Sequence, residues 1–127
     1  MSQQLQQIID AAWEDRANLS PAKAPKEVAD AVEHVISDLN AGRLRVATRE
    51  SVGKWTVHQW IKKAVLLSFR LKDNHLIRAG GLGFFAKVQT KFAHLDESAM
   101  RESRGRVGPP AVARRGSRIG KGRGLWP

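Results

Sequence analysis

Apolar side chains recur at helical spacing in three separate stretches of this chain. Leu5, Ile8, Ile9, Ala12 and Trp13 form the first stripe and predict a helix from about Gln3 to Arg16. Leu19-Ser-Pro21 and Ala24-Pro25 then interrupt the pattern. Val28, Val32, Val35, Ile36 and Leu39 predict a second helix from Lys26 to Asn40, with Gly42 placed to stop it. Two short amphipathic helices joined by a proline-bearing loop make a helical hairpin. In the third stretch Trp60, Ile61, Ala64, Val65, Leu67 and Ser68 share a face, while Lys62 and Lys63 point away. Thr56 and Gln59 have the N-cap and N3 spacing of a capping box, and Trp55 and Trp60 the spacing of a hydrophobic staple. On that register His58 falls at N2, a surface position.

Strand signals are shorter. Leu44 to Thr48 alternates with period two, and Gly53-Lys-Trp55 can return beside it. Phe69-Arg-Leu71 predicts a strand, Lys72 to His75 a tight turn and Leu76-Ile77 the returning strand. The three glycines between Ala79 and Gly83 predict a flexible loop, after which Phe84, Phe85 and Val88 pack back on the core. Asp96 is placed to cap a short helix through Arg101. The pattern is α+β throughout.

Composition sets bounds on this picture. The 127 residues, 42% of them apolar, suffice for one ordinary domain core and not for two. No cysteine is present, which removes disulfides and thiolate metal sites. The four histidines, His34, His58, His75 and His94, have no partners at metal-ligand spacing. Gly80 to Gly83 lacks the Lys-Ser/Thr of a phosphate loop. Ser68 sits in no nucleophile elbow, and Asp10, Glu14 and Asp15 form a solvated helix face. No apolar run long enough to span a bilayer occurs and the start lacks a signal core, so a soluble cytoplasmic protein is expected.

Charge is distributed as a gradient. Residues 1–40 hold three basic and seven acidic side chains, residues 41–100 eleven and four, and residues 101–127 eight and one. Such a basic end implies a polyanionic partner, nucleic acid or a phosphate-rich cosubstrate. The same end carries a six-residue beat: Ala113, Ile119 and Leu125 are six apart, the period of hexapeptide β-helix repeats. A Gly/Arg/Pro segment precedes it.

The block GKWTVHQWIKKAVLLSFRLKDN, together with LQQIIDAAWEDRA, GRLRVA, KVQTKFA with Asp96-Glu97, and Arg106-Val107 before Pro109-Pro110-Ala111, resembles the N-terminal part of the tetrahydrodipicolinate N-succinyltransferase family. The resemblance runs without gaps through essentially the whole chain. It departs from the family pattern at Ala86 and Gln89, at Gly105 before Arg106, and at Arg123 and Gly124 in the hexads.

The resemblance implies an N-terminal α+β domain over 1–104, a linker over 105–112 and the first hexapeptide coils of a left-handed parallel β-helix over 113–127. It implies acyl transfer from succinyl-CoA to the amine of tetrahydrodipicolinate, in the biosynthesis of lysine and diaminopimelate. It further implies homotrimers, with succinyl-CoA as cosubstrate and no permanently bound cofactor. Arg106 matches the arginine that holds a substrate carboxylate, a task suited to a guanidinium fork that donates two parallel N–H bonds. The acidic residues assigned to proton transfer lie in the β-helix beyond Pro127, so no catalytic residue is named here and the chain reads as a truncated form. Two alternatives rest on the residues alone. RRGSRIGKGRG has the makeup of a disordered arm that grips nucleic-acid phosphates. The helical part could instead serve purely as an oligomerisation domain.

Overall fold

A computed structural model describes residues 2–126. Three helices form its centre: α1 (Ser2–Glu14), α2 (Lys26–Ala41) and α3 (Gln59–Arg70). Ile9 and Ala12 from α1, Ala31, Val32, Val35 and Leu39 from α2, and Ile61, Ala64 and Leu67 from α3 make one continuous buried cluster. These are the three sequence stripes turned inward, since positions three and four apart share a helix face. Leu19, beyond a 3-10 turn at Arg16–Asn18, closes one end. Lys63, expected to point away, instead ties α3 to α1 through Asp10 Oδ1 at 2.8 Å. Asp10 is therefore an ion-pair partner rather than part of a solvated face.

Helix α2 stops where glycine allows it. Gly42 adopts φ +78°, and the Asp38 carbonyl accepts the N–H groups of both Arg43 and Leu44. This cap absorbs Leu44, which packs on the helical core. The first hairpin thus begins later than its alternation suggests, with β1 (Ala47–Ser51) pairing antiparallel to β2 (Lys54–Val57). Strand β2 then overruns the expected capping box. Thr56 lies opposite Thr48 in the ladder, and the N-cap of α3 is His58, which makes no side-chain capping bond. His58 donates its backbone N–H to Val46 O at 2.8 Å, and its Nε2 lies 3.0 Å from Thr48 Oγ1. Trp55 is left 61% exposed on the hairpin while Trp60 packs on the core, so the staple does not form.

The expected strand at Phe69-Arg-Leu71 is helix instead. The Leu71 N–H donates to Leu67 O at 3.2 Å, and Leu71 packs on the core, so three alternating residues satisfied the helical period as well. The second hairpin is β3 (His75–Ala79) with β4 (Leu82–Ala86), and Gly80-Gly81 is its ordered two-residue turn, not a flexible loop. Gly80 supplies the positive φ of +61° that this turn requires. Adjacent residues on β4 face opposite ways: Phe84 is half-buried, whereas Phe85 is 72% exposed beside Leu76 and does not pack back. Helix α4 (Glu97–Ser103) is capped by Asp96, whose carboxylate accepts the Ala99 N–H at 2.8 Å. Two-residue strands β5 (Arg106–Val107) and β6 (Gly124–Leu125) pair in parallel. The architecture is α+β, with four α-helices, short strands and no closed barrel among the described residues. Among the described residues no helix is long and apolar enough to cross a membrane.

Candidate functional site

The basic end of the chain does not extend as a free arm. It folds back against residues 89–91 and the C-terminal end of α2. Lys91 N–H donates to Ala113 O and Arg115 N–H to Gln89 O, both at 2.8 Å, pairing the two segments antiparallel. Below this pairing the Lys91 ammonium donates to Asn40 O, to Asn40 Oδ1 and to Ser117 O at 2.8, 2.8 and 2.6 Å. Burial pushes the Lys91 amine below its ordinary range. The Asn40 side chain also accepts the Gly116 N–H at 3.1 Å, and Arg115 grips Glu33 through both terminal nitrogens. The disordered reading of RRGSRIGKGRG is therefore corrected over its first half: Glu33 and Asn40 of α2 accept from Arg115 and from the Gly116 N–H, and Lys91 donates to Ser117 O.

Beyond Ser117 the chain turns and returns beside β5. Arg106 N–H donates to Arg123 O at 3.1 Å and Gly108 N–H to Leu125 O at 2.9 Å, which aligns Arg106 with Gly124 and Val107 with Leu125. Val107 and Leu125 thus lie side by side, eighteen residues apart in the chain. Ala113 is buried, while Val107, Ile119 and Leu125 are half-buried around a cleft of about 390 Å³. Phe92 and Met100 line its apolar side, and Arg106, Lys121 and Arg123 line it together with one acidic residue, Glu102.

Arg106 projects from this pairing with its guanidinium 4.9 Å from the centre of the Trp126 ring. No carboxylate of the described residues forms an ion pair with it. Among the described residues its N–H fork meets no acceptor, and such a fork can donate edge-on to one carboxylate. Nothing in the local wording around Trp126 marks it as a neighbour of Arg106. The signal available was an offset of eighteen residues between Arg106 and Gly124, which brings Trp126, just past the end of β6, close to Arg106.

The histidines stay apart from this region's chemistry. His34 lies 3.2 Å from Asp38, and His58 is occupied by Thr48. Among the described residues no three His, Cys, Asp or Glu side chains come together as a metal site.

Comparison with known proteins bears on the whole arrangement. Residues 4–71 match the family described as tetrahydrodipicolinate N-succinyltransferase N-terminal. The 2,3,4,5-tetrahydropyridine-2,6-dicarboxylate N-succinyltransferase of Albidiferax ferrireducens is 78% identical over all 127 residues. Those of Variovorax paradoxus and Bordetella avium are 72% and 58% identical over the same length. In each case the match covers 100% of this chain and 46% of the relative, so the chain spans about half the length of the curated relatives it matches. The matched stretch holds α1, α2, the first hairpin and α3, the elements that build the buried core, and on this footing the chain belongs to the tetrahydrodipicolinate N-succinyltransferase family.

Proposed function

We propose that this chain supplies the N-terminal half of an N-succinyltransferase that moves the succinyl group of succinyl-CoA to tetrahydrodipicolinate. In that reaction water adds across the ring C=N bond of the substrate to give a secondary amine, whose nitrogen attacks the thioester carbonyl; an amide C–N bond forms and the C–S bond breaks. The CoA thiolate leaves, and the proton lost from nitrogen passes to a base. Arg106 binds one carboxylate of the dicarboxylate substrate and fixes its orientation, while the base comes from residues outside this chain. Residues 1–104 form the α+β domain, 105–112 lead out of it, and 113–127 begin a left-handed hexapeptide β-helix. The setting is lysine and diaminopimelate biosynthesis in the cytoplasm, in a homotrimer, with succinyl-CoA as diffusible cosubstrate.

The observation that carries this reading is the parallel pairing of Val107 with Leu125 eighteen residues later. Three hexads make one triangular coil, so a strand stacking on itself after three hexads is what a hexapeptide β-helix requires at its first turn. Support for the Arg106 role comes from the same pairing, which sets Arg106 beside Gly124, where no carboxylate of the described residues engages it.

The test joins this chain to the remainder of the Albidiferax ferrireducens relative and follows CoA release with both substrates present. Arg106→Leu should raise the KM for the dicarboxylate at least tenfold, as expected for loss of a charge-assisted pair worth about 1.5–3 kcal/mol. The KM for succinyl-CoA should change little. Equal effects on both KM values would remove Arg106 from the dicarboxylate site.

A further inference from the structure

The guanidinium of Arg106 lies over an indole that has no packing reason to be there. Trp126 is 68% exposed and belongs to no buried cluster, although a large aromatic ring left in water forgoes much hydrophobic stabilisation. Its position is set by the ladder. Arg106 faces Gly124 across the parallel pair, and Trp126 follows just beyond the end of β6. A Cβ built on Gly124 would touch Trp126 Nε1 at 3.5 Å, so the indole lies back over the bare backbone at that point. The ring then reaches the Arg106 Cζ, 4.9 Å from its centroid.

We infer that Trp126 is a positioning residue for Arg106, holding the guanidinium by its flat face so that its edge stays directed at a substrate carboxylate. The inference rests on the assignment of Arg106 to the dicarboxylate. Two features of the interaction suit it to that task. A ring quadrupole attracts the cation without neutralising it, whereas a carboxylate neighbour would compete with substrate for the same N–H groups. A ring also occupies the π face only, and the five N–H donors lie in the guanidinium plane. Trp126 thereby reduces the rotamer freedom that an exposed arginine must surrender on binding, at no cost in available donors.

The experiment follows the Arg106 Nε–Hε signal by NMR in the chain itself, with pyridine-2,6-dicarboxylate as the probe. In the wild-type chain this proton should be shifted upfield by the indole ring, and the probe should move it in a saturable way. Trp126→Leu should abolish the upfield shift and weaken probe binding about two- to fivefold, the range for an exposed cation–π contact. Trp126→Phe should restore most of both. An unchanged amide spectrum for α1 to α3 confirms that the exposed substitution leaves the core folded.

Each departure is decisive. If Arg106→Leu loses the probe while Trp126→Leu binds it as the wild type does, Arg106 keeps its role and the positioning by Trp126 is refuted. If Trp126→Phe behaves like Trp126→Leu, the aromatic face is not the cause and the inference is likewise overturned. If the probe leaves the wild-type Arg106 signal unmoved, the dicarboxylate assignment itself falls, and the role of Trp126 falls with it.

Discussion

Single side chains in this protein take their meaning from which backbone groups lie unclaimed near them. Lys91 is the clearest case: one ammonium serves two chain segments by donating to three oxygens at once. Its burial lowers the amine below the ordinary 10.5, because the charged form loses hydration in the folded chain. The unfolded chain therefore binds more protons at this site than the folded one between the lowered value and 10.5. Stability contributed by Lys91 rises with pH across that window and is flat below it. Denaturant titrations of the wild type and Lys91→Met should accordingly diverge in favour of the wild type as pH climbs from neutrality towards 10.5. A pH-independent difference between the two would mean that the amine titrates normally. Arg106 could be singled out from the sequence only through family resemblance, since nothing in its local wording separates it from Arg104 or Arg123. The open fork and the stacked indole are properties of its surroundings.

At the level of elements, the two caps draw a sharp contrast. Asp96 caps α4 as its sequence position suggests, because nothing else competes for the Ala99 N–H. Thr56 has an equally good local signature and does not cap α3. The KWTV segment is also a fair strand, and pairing with β1 satisfies several backbone groups where a cap would satisfy one or two. Asp96→Ala should therefore cost about 0.5–2 kcal/mol, most of it read as faster amide exchange in α4. Thr56→Ala should leave amide protection at the start of α3 unchanged, since no capping bond is lost. A drop in protection at Gln59 and Trp60 in the threonine variant would restore the capping box. The same competition explains α3 running through to Arg70. Three residues of alternation carry less weight than an apolar stripe that already spans two turns and gains Leu71 by continuing.

Across the whole molecule, the basic end is held by the end of α2, which lies some seventy residues earlier in the chain. Asn40 is the hinge of this contact, accepting from both Lys91 and Gly116 while its own carbonyl also accepts from Lys91. Asn40→Leu removes the side-chain acceptor from two donors. Trypsin cleavage after Arg114, Arg115 and Arg118 should then accelerate on the order of tenfold, in line with the loss of one charge-assisted hydrogen bond. Cleavage at the wild-type rate would show that the end is held without Asn40. The helical stripes, the stop at Gly42 and the Asp96 cap could all be read from the chain because each depends on neighbours within about one turn. Family membership was legible for a related reason, as it rests on wording in fixed order. The register of the first hairpin, the true start of α3, the docking of the basic segment on α2 and the meeting of Arg106 with Trp126 were not. Each is a choice between local options of similar free energy, settled by a partner distant in sequence, and short-range pattern carries no record of that partner.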